Sequence, residues 1–221
     1  KQIFEGGTIL PGFVDLQANG GGGVMFNEAT SLDGLVAIAG AHAQTGTRAL
    51  LPTLITDSPE RTHAALEAVE QAIAHQVPGI LGIHLEGPHL SIARKGAHAP
   101  DLIRRMSEVD EAVLLKAAKR LPNVLVTVAI ESVSTAQIER LTQAGVIVSI
   151  GHSDCTANEA QQAFSAGARS VTHLFNAMSQ MSARAPGLVG AALGAQDISA
   201  GLIADNIHVD PTTMRAALAA K

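Results

Sequence analysis

The sequence predicts an α/β fold, a TIM-type barrel of eight parallel βα units that is followed here as far as its seventh strand. Three observations predict it. Seven short apolar runs rich in β-branched residues alternate with helical patterns along the 221 residues. The runs are continuously apolar, as in parallel strands covered on both faces. Residues able to do chemistry collect just after the runs, at the end of a βα barrel where active sites form. An open doubly wound sheet would explain the first two observations but not the third.

In order, the predicted strands are "GFVDLQ" (12–17), "TRALLPTLI" (47–55), "GILGIHLE" (79–86), "NVLVTVAI" (123–130), "GVIVSIGH" (145–152), "SVTHLF" (170–175) and "SAGLIAD" (199–205). The helices between them carry start and stop signals. "SPERTHAALEAVEQAIAHQ" opens on Ser58 as N-cap with Pro59 at the first helical position, and its Leu66, Val69 and Ile73 share a face. "TANEAQQAFSAG" pairs Thr156 with Glu159 as a capping box and stops at Gly167. "DPTTMRAALAA" repeats the first pattern with Asp210 and Pro211. Strand, helix and next strand then imply right-handed parallel crossovers. Residues 12–221 are expected to form one barrel domain that stops a strand short, and "KQIFEGGTIL" reads as a remnant of an element preceding it.

Composition removes several function classes. A net charge of −5 argues against nucleic acid and anionic membrane surfaces as partners. No apolar run approaches the roughly 18 residues of a membrane helix, and no charged-then-apolar leader precedes the first strand. Trp and Tyr are absent, which disfavours a base-stacking platform. The single cysteine, Cys155, cannot form an internal disulfide, so a reducing cytoplasm is the expected compartment.

The strand ends carry the chemistry. The first ends in Gln17 and Asn19, the third in "HLEGPHL", the fifth in "GHSDCT", the sixth in "THLFNAM" and the seventh in "ADNIHVD". A lone Glu86 before Gly87-Pro88 could simply cap a turn, and a lone histidine after an apolar run is usually a satisfied core residue. Two histidines on neighbouring strands, His152 and His173, with a carboxylate two strands away reverse that expectation. Glu86, His152 and His173 form a ligand set with a coordination position left open, as catalytic metal sites require. His84 and His89 are weaker candidates, and His84 reads as a packed histidine deeper in the barrel. His98, in the Gly/Ala/Pro loop "RKGAHAP", has little packing reason to exist and is expected to touch substrate. Arg184 in "SQMSARAPG" reads either as a solvated loop cation or as a bidentate clamp for phosphate or carboxylate.

The motifs "HLEGPHL", "KGAHAP", "GHSDCT", "THLFNAM", "APGLVGAAL" and "ADNIHVD", in this order and spacing, closely resemble the N-acetylglucosamine-6-phosphate deacetylases of the amidohydrolase superfamily. The resemblance spans essentially the whole chain. It implies a metal-dependent barrel enzyme of amino-sugar catabolism that hydrolyses the acetamide of N-acetyl-D-glucosamine 6-phosphate to D-glucosamine 6-phosphate and acetate. By matching position, Glu86, His152 and His173 would hold one divalent ion, with zinc the usual metal and iron an alternative. His98 would contact the sugar and its acetamide, with Ala97 beside it. Asn176 and Ala177 would supply backbone contacts to substrate. Arg184 would bind phosphate by reaching into the neighbouring subunit's site, which implies a homodimer, and His208 would contact substrate after strand seven.

One departure stands out. The family's general base is an Asp at the end of an eighth strand, expected beyond Lys221, and Asp205 and Asp210 do not match it. The small β-sandwich beside the family's barrel would be represented only by residues 1–11. Gln17 and Asn19 occupy the place where binuclear relatives carry His-x-His. Amides are weak ligands beside imidazole, so this position is expected to be a vacant second-metal site and the metal count to be one. The resemblance leaves open an N-acetylgalactosamine-6-phosphate deacetylase or another amidohydrolase. A non-catalytic sugar-phosphate binding protein is the alternative from a different class.

Overall fold

The computed structural model describes residues 6–221. Residues 6–11 form neither strand nor helix and are exposed, while residues 1–5 of the predicted 1–11 segment lie outside the described residues. Seven parallel strands make the main sheet among the described residues: β1 (Phe13–Ala18), β4 (Thr47–Ile55), β5 (Ile83–Glu86), β6 (Val124–Val128), β7 (Ile147–Ile150), β8 (Ser170–Val171) and β9 (Ser199–Ala200). They pair in chain order with no crossing. Between β1 and β4 lie a hairpin, β2 (Gly20–Gly21) and β3 (Val24–Met25), and helix α1 (Leu32–Gln44). The other helices are α2 (Pro59–Ala74), α3 (Glu108–Ala117), α4 (Thr135–Gln143), α5 (Ala157–Ser165), α6 (Gly187–Gly194) and α7 (Pro211–Ala220).

The helix starts follow from their caps. Ser58, Thr156 and Asp210 each accept a hydrogen bond from a backbone N–H of the first turn, and Thr156 completes a capping box with Glu159. Pro59 and Pro211 occupy the first turn, where a missing N–H costs nothing. In α2 the buried face is Ala65, Leu66, Ala68, Val69 and Ala72, packed outside the sheet.

The sheet curls. His84 on β5 reaches the Leu16 carbonyl on β1, past β4, at 3.0 Å, and Thr127 on β6 reaches Thr172, past β7, at 2.6 Å. Side chains of next-nearest strands meet only across a concave face. Within that face Thr53, His84, Thr127, Ser149 and Thr172 form a buried polar layer linked by hydrogen bonds. This gives His84 the packed role its sequence position suggests, since both ring nitrogens have partners. Between β1 and β9 a cavity of about 540 Å³ is lined by Gln17, Asn19, His84 and His173 among others. Phe13, Val14 and Leu16 on β1 are more than half exposed.

Four strands end earlier than their apolar runs do: the predicted 123–130 stops at Val128 and 199–205 at Ala200. The predicted 145–152 and 170–175 shorten to Ile147–Ile150 and Ser170–Val171. His152 (φ 47) and His173 (φ 35) adopt left-handed backbone, which no ladder can continue. The four consecutive glycines, residues 20–23, build the β2–β3 hairpin. Gly22 and Gly23 take φ of 63 and 80, as a two-residue hairpin turn with φ positive at both centres requires.

Candidate metal centre

Three side chains converge at the C-terminal ends of β5, β7 and β8. Glu86 is the last residue of β5, while His152 and His173 follow β7 and β8 by two residues. Glu86 Oε1 lies 2.9 Å from His173 Nε2 and 3.3 Å from His152 Nε2, and the two Nε2 atoms are 3.0 Å apart. All three residues are buried. The left-handed backbone at His152 and His173 costs roughly 1–2 kcal/mol per residue. Phe175 and Ala177 share it, so four of the six described non-glycine residues with positive φ fall between 152 and 177. Such concentration of strain marks functional sites.

Neighbouring loops hold the cluster in place. The loop after β5 passes through a 3-10 turn (Ile92–Arg94) and offers the Arg94 carbonyl to His152 Nδ1 at 2.8 Å. The Nδ1–H donates there, so Nε2 carries the lone pair toward Glu86. Gly96, at φ +55, lets this loop press on the ring, for a Cβ there would sit 3.2 Å from His152 Cε1. Arg94 also pairs with Asp154. Glu131, after β6, takes hydrogen bonds from the Ser153 hydroxyl at 2.6 Å and the Asp154 N–H at 2.7 Å, which fixes the turn behind His152.

Electrostatics make the cluster a candidate cation site. Burial pushes the Glu86 carboxyl up, but the His152 and His173 rings set against it hold it well below the usual carboxylate range. An ionised carboxylate therefore faces a bare imidazole nitrogen at 3.3 Å, two electron-pair donors with no proton between them. Donor separations of 2.9–3.3 Å are close to the roughly 3.3 Å edge of a tetrahedral sphere with bonds near 2.0–2.1 Å. These residues fit a divalent ion. One detail is uncompensated: His173 Nδ1 is buried with no partner among the described residues.

The remaining sequence-predicted residues fall into three groups. His98 reaches the cluster: its ring is buried and stacks edge-on to His152 with centroids 4.4 Å apart, and its Nε2 lies 3.8 Å from Glu86 Oε2. Ala97 precedes it in the same loop, and Ala177 borders Gly96. Asn176 follows His173 in a tight turn, its N–H donating to the His173 carbonyl at 2.9 Å. Gln17 and Asn19 line the same cavity as His173. Arg184 and His208 are exposed at the rim, outside the cluster. His208 Nδ1 is held 2.6 Å from Asp205, whose other oxygen accepts the N–H groups of Ile207 and His208.

Sequence reasoning passed over three residues that shape the site. Thr56, just past β4, contacts His98. Asn27 brackets Ile55, with its amide oxygen accepting the Ile55 N–H at 3.1 Å and its amide nitrogen donating to the Ile55 carbonyl at 3.2 Å. Glu131 is the third. The available signal was a polar residue at each strand end, of whatever type; acids and imidazoles drew attention to other strands.

Comparison with known proteins supplies a family. Residues 8–221 match the model of the Amidohydrolase family. An N-acetylgalactosamine-6-phosphate deacetylase of Shewanella sp. (strain ANA-3) is 46% identical over 97% of this chain and 54% of its own length. An N-acetylglucosamine-6-phosphate deacetylase of Haemophilus influenzae is 37% identical over 96% of this chain and 55% of its own. The solved structure of the N-acetylglucosamine-6-phosphate deacetylase from Pasteurella multocida superposes with a TM-score of 0.91 at 40% identity, covering 96% of this chain and 55% of that one. The chain thus spans about half the length of the relatives it matches. In sequence as in its curled parallel sheet, the chain belongs to the Amidohydrolase family, whose hydrolases are metal-dependent.

Proposed function

We propose that the chain carries the metal centre and much of the substrate site of a deacetylase that converts N-acetyl-D-glucosamine 6-phosphate to D-glucosamine 6-phosphate and acetate. The observation that carries the reading is the buried Glu86–His152–His173 cluster at the ends of β5, β7 and β8 in an Amidohydrolase sheet. One divalent ion, zinc or alternatively iron, would be held by Glu86 Oε1 and the two Nε2 atoms. Bound there it supplies Lewis acidity, which acidifies water and polarises a carbonyl. His98 borders the acetamide carbonyl, and the backbone at Asn176 and Ala177 orients the sugar. His208, steadied by Asp205, reaches substrate from the rim. Asp205 and Asp210 are engaged in a turn and a helix cap, so the base that accepts the proton of water is assigned to an Asp beyond Lys221. The protein is assigned to a reducing cytoplasm. No helix described here is long and apolar enough to cross a membrane.

Acetate release by the whole protein, supplied with Zn²⁺ and N-acetyl-D-glucosamine 6-phosphate, tests this reading; release no faster than the metal-free control defeats it. The 46% identity to the Shewanella N-acetylgalactosamine-6-phosphate deacetylase favours a second reading, the galacto epimer, and the ratio of kcat/KM for the two sugars decides between them. Metal analysis is expected to return about one ion per chain. Two ions would refute the reading of Gln17 and Asn19 as a vacant position.

Arg184 is assigned to the substrate phosphate of the neighbouring subunit in a homodimer, in keeping with its exposure. Arg184→Ala is expected to raise KM for the phosphorylated sugar by about 10²-fold, the usual cost of removing one partner from a charge-assisted pair. KM for the unphosphorylated sugar should stay within about twofold. Equal effects on both sugars would remove the phosphate role.

A further inference from the structure

His98 has two ring nitrogens, and whichever carries the proton decides what the residue offers beside Glu86. The contacts at Nδ1 answer this. The Thr56 N–H points at Nδ1 from 3.3 Å and the Thr56 hydroxyl lies 2.7 Å away. A backbone N–H can only donate, so Nδ1 must accept and the proton sits on Nε2. In the opposite arrangement Nδ1–H would donate to the Thr56 hydroxyl, which would pass its own proton to the Glu86 carbonyl. That second contact is 3.4 Å, and the arrangement would set two N–H groups against each other.

We propose that Thr56 is a positioning residue that fixes His98 as the Nε2–H tautomer, so that the imidazole presents a donor and not a lone pair beside Glu86. His98 then serves neither as a fourth metal ligand nor as a base. Its Nε2–H faces Glu86 Oε2, the oxygen turned away from His152 and His173. A donor there complements a carbonyl oxygen that gains negative charge. That catalytic consequence rests on the deacetylase reading; the tautomer does not.

The surroundings are built to hold Thr56 there. Both Thr56 and His98 are buried. Asn27 grips Ile55, the preceding residue, on both its N–H and its carbonyl. Gly87, at φ +87, leaves the space the hydroxyl needs: a Cβ at that position would lie 2.2 Å from Thr56 Oγ1. Thr56 and Gly87 directly follow two successive strands, β4 and β5, and His98 lies in the loop after the second.

Two-bond ¹H–¹⁵N spectra of the histidine rings, with His98 assigned by its absence in His98→Gln, read the tautomer directly. In the unmodified, metal-loaded protein Nε2 is expected to be protonated and Nδ1 bare; a protonated Nδ1 overturns the proposal. Thr56→Val keeps the shape and the backbone donor but loses the hydroxyl. It should shift His98 toward a tautomer mixture and lower kcat about tenfold, the worth of one buried hydrogen bond, with KM within about twofold. Thr56→Ser should restore both. A Val variant indistinguishable from the parent, or a Ser variant as impaired as Val, shows that Thr56 only fills space and overturns the proposal. If Thr56→Val does not fold, the parent spectrum and Thr56→Ser still decide. The expected tautomer without acetate release from either sugar would defeat the deacetylase reading and leave the assignment of Thr56 standing.

Discussion

Glu86→Gln is expected to lower the metal content of the protein from about one ion per chain to a small fraction and to cut acetate release by about 10³-fold. The substitution is nearly isosteric, so the barrel should survive it. It removes the only anion of the cluster, and two neutral imidazoles with an amide make a poor site for a hard divalent ion. A metal's charge contributes several kcal/mol at a developing oxyanion, at about 1.4 kcal/mol for each factor of ten in rate. Metal analysis and the acetate assay on the same preparation check both halves. Full metal occupancy with an unchanged rate would show that Glu86 is only a turn carboxylate.

The second large effect is on stability against pH. Burial lowers the pKa of His84 from 6.5 to about 4, partly offset by Glu86, so the folded chain keeps the ring neutral where the unfolded chain protonates it. Between those values the unfolded state binds more protons, and stability rises with pH. The contribution is fully present above about pH 6.5 and is lost as pH falls through about 4. The difference corresponds to roughly 3 kcal/mol at the limit. His98, lowered to about 4 by burial and by His152, acts in the same direction. Urea unfolding of the chelator-treated protein at several pH values should therefore show a steep loss of stability below about pH 6.5. His84→Asn should be less stable at neutral pH, because Thr127 and the Leu16 carbonyl lose their partner, yet decline less steeply with acid. The same slope with and without the imidazole would remove His84 from the account.

Much of this architecture could be read from the residues. The parallel strands were legible because burial on both faces demands continuous apolar runs, and the starts of α2, α5 and α7 because Ser58, Thr156 and Asp210 have no better use than capping. Glu86, His152 and His173 could be brought together on paper, since barrel strands deliver their final residues to one rim. The polar layer under them could not. Thr53, Thr127, Ser149 and Thr172 sit inside apolar runs, and whether a small hydroxyl turns inward depends on strand stagger, which no local pattern encodes. The early ends of β7 and β8 were hidden for a related reason. Left-handed backbone at a histidine is imposed by tertiary contacts, such as the Arg94 carbonyl and Glu131 behind His152, against the residue's own preference. Thr56 escaped because its role belongs to the partner it orients.

The left-handed backbone at His152, His173 and Ala177 sets folding and the proposed hydrolysis at odds. At such φ values glycine, and to a lesser degree asparagine, is the more comfortable residue by about 1 kcal/mol. A library of variants sorted only for resistance to unfolding, without metal in the medium, would find a gain in exchanging these residues and nothing to oppose it except lost ring packing. Its winners would be sturdier and inert. Engineering this scaffold for heat tolerance therefore calls for holding fixed the positions where the backbone is least relaxed.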